Sequence, residues 1–228
     1  MRVHRFYSGS GIQLKQNFWL HDSALLWQWN KVLRFKPGQE LILFDGKGTD
    51  RLYKLTELSK AEAHLQMVTE LAKQLPRRHV YLFWSLLKKD NNDHVLQKCT
   101  ELGVSNFVPI ISERSVRTGF NMDRARKIVI EASEQCGRSN IPQVREPVHL
   151  EKVLDEYRDK MPLYVCEQGS TQPKISDDKL GVFIGPEGGW SQNELDVFTD
   201  YNLLHVAISE HTLRAETAAV VASSLVLR

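Results

Sequence analysis

Along residues 1–71 the apolar positions come in short alternating runs: VHRFY at 3–7, FWL at 18–20, ELILFDG at 40–46, RLYKLTEL at 51–58 and AHLQMVTEL at 63–71. Alternation turns every second side chain to one face, so these runs predict half-buried strands. Pro37-Gly38 and the Asp45-Gly46-Lys47-Gly48 run bracket ELILF with tight turns, since proline fixes φ and glycine accepts positive φ. One stretch departs from the pattern. DSALLWQWNKVLR at 22–34 sets Leu25, Leu26, Trp29 and Leu33 on a helical stripe, with Asp22 or Ser23 available as N-cap. The expectation is a small β-barrel-like domain with one packed helix.

Residues 72–78 interrupt this rhythm with proline and charge, and a different one follows. Apolar runs at 80–87, 107–111, 163–166, 181–185 and 204–208 alternate with helical stretches at about 92–102, 123–136, 150–158, 192–200 and 213–227. Strands alternating with helices predict βαβ units and a parallel sheet covered by helices. The fold class expected is therefore α/β for residues 73–228, preceded by the smaller β domain of residues 1–72.

Composition changes this picture little. The 228 residues are 42% hydrophobic and 25% charged, as in an ordinary globular protein, which excludes disordered and collagen-like classes. No apolar run reaches the roughly 18–20 residues of a membrane helix. The start MRVHRFYSGSG lacks the apolar stretch of a signal peptide, so a cytoplasmic protein without a membrane partner is expected. Cys99, Cys136 and Cys166 form no CxxC or Cys/His pattern and read as reduced thiols, with neither disulfide nor zinc. Charge is more telling. Residues 1–79 carry 13 Lys and Arg against 7 Asp and Glu, whereas residues 80–228 carry 17 against 21. Phosphate affinity comes mainly from Lys and Arg, so a nucleic-acid-facing module joined to a catalytic body fits this asymmetry, as does a solvated basic face.

The densest chemical signal is VFIGPEGGWSQNEL at 182–195. A strand runs into Gly185-Pro186-Glu187-Gly188-Gly189, and Ser191 and Glu194 then stand at capping-box spacing, which fixes a helix start. Gly188 and Gly189 permit backbone conformations closed to other residues, so a ligand can approach the main chain at the carboxyl end of the strand. A purely structural turn gives no purpose to Glu187. The run is neither GxGxxG nor a P-loop, so dinucleotide and phosphate-loop readings lack their required spacing. In the tail, HTLRAETAAVVASSLVL at 211–227, small and apolar residues suit a closely packed helix whose first turn carries Arg214, Glu216 and Thr217. Glu216 there can equally complement the helix dipole. KCTELGVSNFVPI at 98–110 reads as a helix ended by Gly103 and followed by a buried strand; Arg114, Arg117 and Arg138 follow in loops or at helix ends. The histidines show no metal spacing and no triad partner, so no metal is expected.

Taken together, HRFY at 4–7, KVLRFKPGQELILFDGKG at 31–48, LLKKDNNDHVLQKCTELGV at 86–104, ERSV at 113–116, EASEQCGR at 131–138, IGPEGGWSQNE at 184–194 and LRAETA at 213–218 resemble the bacterial 16S ribosomal RNA uridine-N3 methyltransferases, the RsmE family of the SPOUT superfamily. The resemblance runs nearly end to end. It implies a PUA-like RNA-binding barrel and a SPOUT α/β domain with a deep trefoil knot, which periodicity alone does not suggest. It also implies S-adenosylmethionine as cofactor, a homodimer, and as partner the 16S RNA of the 30S subunit, methylated at a uridine near its 3′ end. The cofactor pocket implied is Ile184, Gly185, Pro186, Glu187, Gly188 and Gly189, the loop from Ile208 through Leu213 and Arg214 to Thr217, and a third wall at Cys166 and Glu167. Two departures stand in that loop: Ser209 occupies a family glycine position and His211 an arginine position, so strain is expected at Ser209 if its φ is positive. A histidine pair common in the family's N-terminal helix is replaced in the stretch Leu26 to Trp29.

Uridine N3 carries a proton and is a poor nucleophile until that proton leaves, so a base or a group favouring the N3 anion should assist. Arg138 or Arg114 could stabilise the anion, and Glu187 or Glu216 could accept the proton or fix the loops. Arg2, Arg5, Lys15, Arg34 and Lys36, with Arg77, Arg78 and Arg117, are the expected RNA contacts. Two competing readings are a non-catalytic ribosome-assembly factor, hinted at by Ser209 and His211, and a nucleotide-dependent enzyme using the GPEGG loop.

Overall fold

The computed structural model describes residues 3–9, 11–116, 119–170 and 175–228. Arg2 and Arg117, expected as RNA contacts, lie outside the described residues. The chain forms two compact units: Met1–Leu75 with Ser133–Ile141, and Pro76–Ala132 with Pro142–Arg228. The first break falls near the expected boundary at 72/73. The return of 133–141 to the first unit had no sequence signal, because the amphipathic pattern of the helix that contains residue 133 runs on unbroken.

In the first unit, β1 (His4–Tyr7), β2 (Asn17–Leu20), β3 (Glu40–Phe44), β4 (Asp50–Leu58) and β5 (Ala63–Glu70) form one sheet in the order β1-β3-β4-β5-β2. Only β1 and β3 pair in parallel, His4 opposite Leu41; the other neighbours are antiparallel. Phe6, Leu20, Leu41, Leu43, Tyr53, Leu55 and Leu65, drawn from all five strands, share one buried cluster. Side chains from every strand meet in one core only if the sheet bends around it, and that is why the period-two runs make a barrel-like unit. The core is closed by Leu26 and Trp29 of the expected helix. That helix begins as α1 (Ser23–Trp27), with the Asp22 carboxylate accepting from the Ala24 and Leu25 N–H groups, and continues as a π-helical turn, Gln28–Val32. It ends at Arg34 with φ 54°, a left-handed conformation usually left to glycine.

The segment 133–141 is tied in by buried polar chemistry. Arg5 Nη2 donates to Asp50 Oδ1 at 2.8 Å and to the Arg138 carbonyl at 3.0 Å, and Ser139 Oγ donates to Asp50 Oδ2 at 2.6 Å. The Arg5 guanidinium lies 4.3 Å over the Phe44 ring. Arg5 thus serves the interior of this unit rather than the RNA-facing surface expected of it: its side chain is 9% exposed and paired with buried Asp50. Lys15, Arg34 and Lys36 are exposed.

The second unit is a parallel sheet. Its strands are β6 (His79–Ser85), β7 (Asn106–Ile111), β8 (Gln143–Val144), β9 (Val148–His149), β10 (Leu163–Cys166), β11 (Lys179–Ile184) and β12 (Leu204–Val206). Their order is β12-β10-β11-β6-β7-β8, with β9 also pairing β7, and every pair is parallel. The helices are α2 (Lys89–Leu102), α3 (Met122–Cys136), α4 (Leu150–Tyr157), α5 (Gln192–Asp200) and α6 (Ala215–Val226). At the sheet centre Phe83 stacks on Phe183 at 4.5 Å. Gly181 makes room there: a Cβ on it would come within 2.5 Å of the Phe83 ring and 2.7 Å of Leu163. Helix α6 packs on α2, β6 and β11, and Arg78 Nη1 donates to the Val226 carbonyl at 2.9 Å near its end. Arg77 is exposed. Among the described residues no helix is long and apolar enough to cross a membrane, and no group of His, Cys, Asp and Glu could hold a metal ion.

Candidate functional site

Because all the strands of the second unit point one way, their carboxyl ends share one edge, and the loops leaving β6, β10, β11 and β12 meet there. They enclose a cleft of about 750 Å³. Its walls are Cys166–Gln168 after β10, Ile184–Glu187 with Gly189 and Trp190 after β11, Ile208, Ser209 and His211–Ala215 after β12, Glu216 and Ala218 of α6, Leu195 of α5, and Lys88 with Asn91 at the start of α2.

The GPEGG loop is held from several directions. Gly189 has φ 67°, and its N–H donates to the Pro186 carbonyl at 2.9 Å, which closes a tight turn. The expected capping box forms: Glu194 N–H donates to Ser191 Oγ at 3.2 Å and Ser191 N–H to Glu194 Oε2 at 2.8 Å. The second oxygen of Glu194 accepts from the Glu113 N–H at 2.9 Å, so this buried carboxylate joins the loop after β7 to the start of α5. Arg114 Nη1 donates to the Gly188 carbonyl at 3.0 Å and the Trp190 carbonyl at 3.2 Å. Gly185 packs flat on the Trp190 indole; a Cβ there would stand 3.1 Å from Nε1.

The opposite wall is built from β10 and β12. Glu167 N–H donates to the Val206 carbonyl at 3.0 Å, and Glu167 Oε2 lies 2.5 Å from His205 Nδ1. Thr212 Oγ1 donates to Gln168 Oε1 at 2.7 Å and links the two loops. Ser209 does not have a positive φ, and its hydroxyl accepts from the His211 N–H at 3.1 Å. Ser209 therefore carries none of the strain expected of a positive φ. Burial pushes the Cys166 thiol up to about 12, so that cleft-lining sulfur stays protonated and unreactive at neutral pH.

Of the expected cofactor residues, Cys166, Glu167, Ile184, Gly185, Pro186, Glu187, Gly189, Ile208, Leu213 and Arg214 line the cleft. Gly188 and Thr217, both exposed, do not; Gly188 instead lends its carbonyl to Arg114. Of the expected catalytic residues, Glu187 and Glu216 line the cleft and Arg114 braces its loop. Arg138 is buried in the first unit, where its Nε donates to Asn140 Oδ1 at 3.2 Å and burial lowers its pKa to about 10, still charged at neutral pH. The sequence reading missed Lys88, Asn91 and Trp190. Their signal was membership of the family-like stretches at 86–104 and 184–194, which spacing alone cannot turn into a shared wall.

Two buried polar atoms of the cleft wall, Trp190 Nε1 and Glu216 Oε2, have no hydrogen-bond partner among the described residues. A buried donor or acceptor left unpaired costs about 1–3 kcal/mol.

Residues 73–227 match the RNA methyltransferase domain family and residues 31–68 the RNA methyltransferase PUA domain. A barrel-like unit with a PUA match and a parallel-sheet unit with a cleft at its strand ends define the class: an RNA methyltransferase. Among curated relatives, the ribosomal RNA small subunit methyltransferase E of Aquifex aeolicus is 30% identical over 86% of this chain and 89% of its own length. That of Rickettsia conorii is 26% identical over 97% and 94%. The crystal structure of the same enzyme from Neisseria gonorrhoeae, bound to S-adenosylmethionine, superposes with a TM-score of 0.90 at 29% identity, covering 98% of this chain and 96% of that one. The chain belongs to the ribosomal RNA small subunit methyltransferase E family.

Proposed function

We propose that the chain methylates N3 of a uridine near the 3′ end of 16S ribosomal RNA, in the cytoplasm and on the 30S subunit, with S-adenosylmethionine as donor. The observation that carries this reading is the cleft at the strand ends of a family-matched methyltransferase unit, two of whose lining residues hold buried polar atoms without a partner among the described residues. Those atoms suit the cofactor's amino-acid end: Glu216 Oε2 accepts from an ammonium, and Trp190 Nε1 donates to a carboxylate. The glycine loop at 185–189 and the Ile208–Leu213 loop offer backbone groups to the rest of it. S-adenosylmethionine, when bound, supplies an electrophilic methyl carbon on a sulfonium.

The chain's own residues then have two tasks. They hold the uracil in line with the methyl carbon, which is the main source of rate in such a transfer, and they ease loss of the N3 proton. Glu187, exposed and lining the cleft, is our candidate to act on that proton or to order the RNA. The exposed Lys15, Arg34, Lys36 and Arg77 are the phosphate contacts. The reading includes a homodimer, supported by exposed Leu102 and Leu225 on the mutually packed α2 and α6, and a knotted path, supported by the placement of β12 outside β10 before α6 returns to α2.

Incubation with S-adenosylmethionine and undermethylated 30S subunits or naked 16S RNA, followed by nucleoside mass spectrometry, tests it. The expected outcome is 3-methyluridine from 30S. Cofactor binding without that nucleoside from either substrate refutes the target, and no cofactor binding favours an assembly factor, a reading that needs no turnover.

A further inference from the structure

If N3 must lose a proton, negative charge spreads from N3 onto the neighbouring uracil carbonyl oxygens, and a cation fixed beside them lowers the barrier. The arginines expected for this role are engaged elsewhere: Arg114 on the Gly188 and Trp190 carbonyls, Arg138 in the interior of the first unit. Among the described residues, the lysine and arginine that line the cleft are Lys88 and Arg214. Arg214 belongs to the loop after β12, on the wall that carries the expected cofactor residues. Lys88 follows β6, at the other end of the strand order β12-β10-β11-β6.

The backbone at exposed Lys88 is also held in place. It is the N-cap of α2, with φ −57° and ψ 148°, and its side chain makes no capping bond. It forms no ion pair among the described residues. Its carbonyl accepts from the Asn91 and Asn92 N–H groups at 2.9 and 3.1 Å. The residue before it is clamped by buried Asn92: Leu87 N–H donates to Asn92 Oδ1 at 3.1 Å, and Asn92 Nδ2 donates back to the Leu87 carbonyl at 2.7 Å. Asn92 is itself fixed by the Trp84 indole N–H at 3.0 Å. A buried asparagine spending its amide on both backbone groups of one residue fixes the point from which the next side chain leaves. The free N–H groups of the first α2 turn add partial positive charge at the same place.

We infer that Lys88 is a catalytic residue, donating a hydrogen bond to a uracil carbonyl oxygen and stabilising the N3 anion, with Asn92 as its positioning residue. This rests on the uridine-N3 reading above. In the step, the N3 proton passes to water, the N3–methyl bond forms as the methyl–sulfur bond breaks with its electron pair going to sulfur, and Lys88 contributes only its hydrogen bond. The titratable groups facing the same cleft are Glu167, Glu187, Glu216, His211, Cys166 and Arg214, and Lys89, Asp90 and Asp93 flank Lys88 on α2.

The test compares wild type, Lys88→Met and Lys88→Arg in single-turnover formation of 3-methyluridine on saturating 30S subunits across pH, with S-adenosylmethionine affinity measured by calorimetry. Lys88→Met is expected to be slower by ~10²–10³-fold near neutral pH. The deficit shrinks as pH rises, because N3 then loses its proton without help. Lys88→Arg regains most of the rate, and cofactor affinity stays within about twofold, since no cofactor contact is removed. A pH-independent deficit, an unchanged rate, or a loss confined to 30S affinity overturns the assignment. Absence of 3-methyluridine with wild type overturns the uridine reading itself, and this inference with it.

Discussion

At the scale of single residues the cleft is defined by groups left without partners and by groups already spent. Glu216 Oε2 is buried without a partner among the described residues, so Glu216→Gln, which keeps the shape and removes the charge, is expected to weaken S-adenosylmethionine binding about tenfold or more, given ~1.5–3 kcal/mol for a charged hydrogen bond. Unchanged affinity by calorimetry would place the cofactor elsewhere. The thiols give a second check. Burial raises the Cys99 and Cys166 pKa values to about 12, so both stay protonated at pH 8, whereas Cys136 is exposed. Alkylation of the native protein at that pH is expected to label Cys136 first, and rapid labelling of Cys166 would contradict the packing drawn around it. Ser209 shows what a sequence can and cannot disclose. Its departure from a glycine was visible, but whether it costs anything depended on φ, a property of the folded loop.

At the scale of elements, most strands and helices follow from the apolar period, because the apolar positions are the buried ones: α4 and α5 pack with the strands of the parallel sheet, and the strands of the first unit share a core of their own. What the period could not reveal was the π-helical turn after α1, since Leu26 and Trp29 reach the core in either helical form. Nor could it show the return of 133–141 to the first unit, which depends on an ion pair between residues 45 positions apart and a hydroxyl from a third segment. Removing one partner of such a buried pair strands the other charge, so Asp50→Ala is expected to lower stability by roughly 3–5 kcal/mol in denaturant unfolding. A loss within a few tenths of a kcal/mol would mean that the pair is solvated. In the sheet, Gly181→Ala forces a methyl group against Phe83 and Leu163, with an expected cost of roughly 1–3 kcal/mol.

At the scale of the whole molecule, the rhythm of the sequence changes after a basic N-terminal third, and the residues that follow match the RNA methyltransferase domain family. The cleft was legible only in pieces: the glycine loop announced itself, whereas Lys88, Asn91 and Trp190 join it through strand order, which is a non-local property. If Lys15, Arg34, Lys36 and Arg77 contact phosphates, log affinity for 16S RNA falls linearly with log salt concentration, and each neutralising substitution reduces the slope by ~0.7–0.9. The central claim is methyl transfer to uridine N3, and its most direct test is a single reaction: 30S subunits lacking the modification, this protein, and S-adenosylmethionine carrying a deuterated methyl group. The account predicts trideuterated 3-methyluridine in the 16S digest. Label in any other nucleoside, or none at all from a protein shown to bind the cofactor, contradicts it.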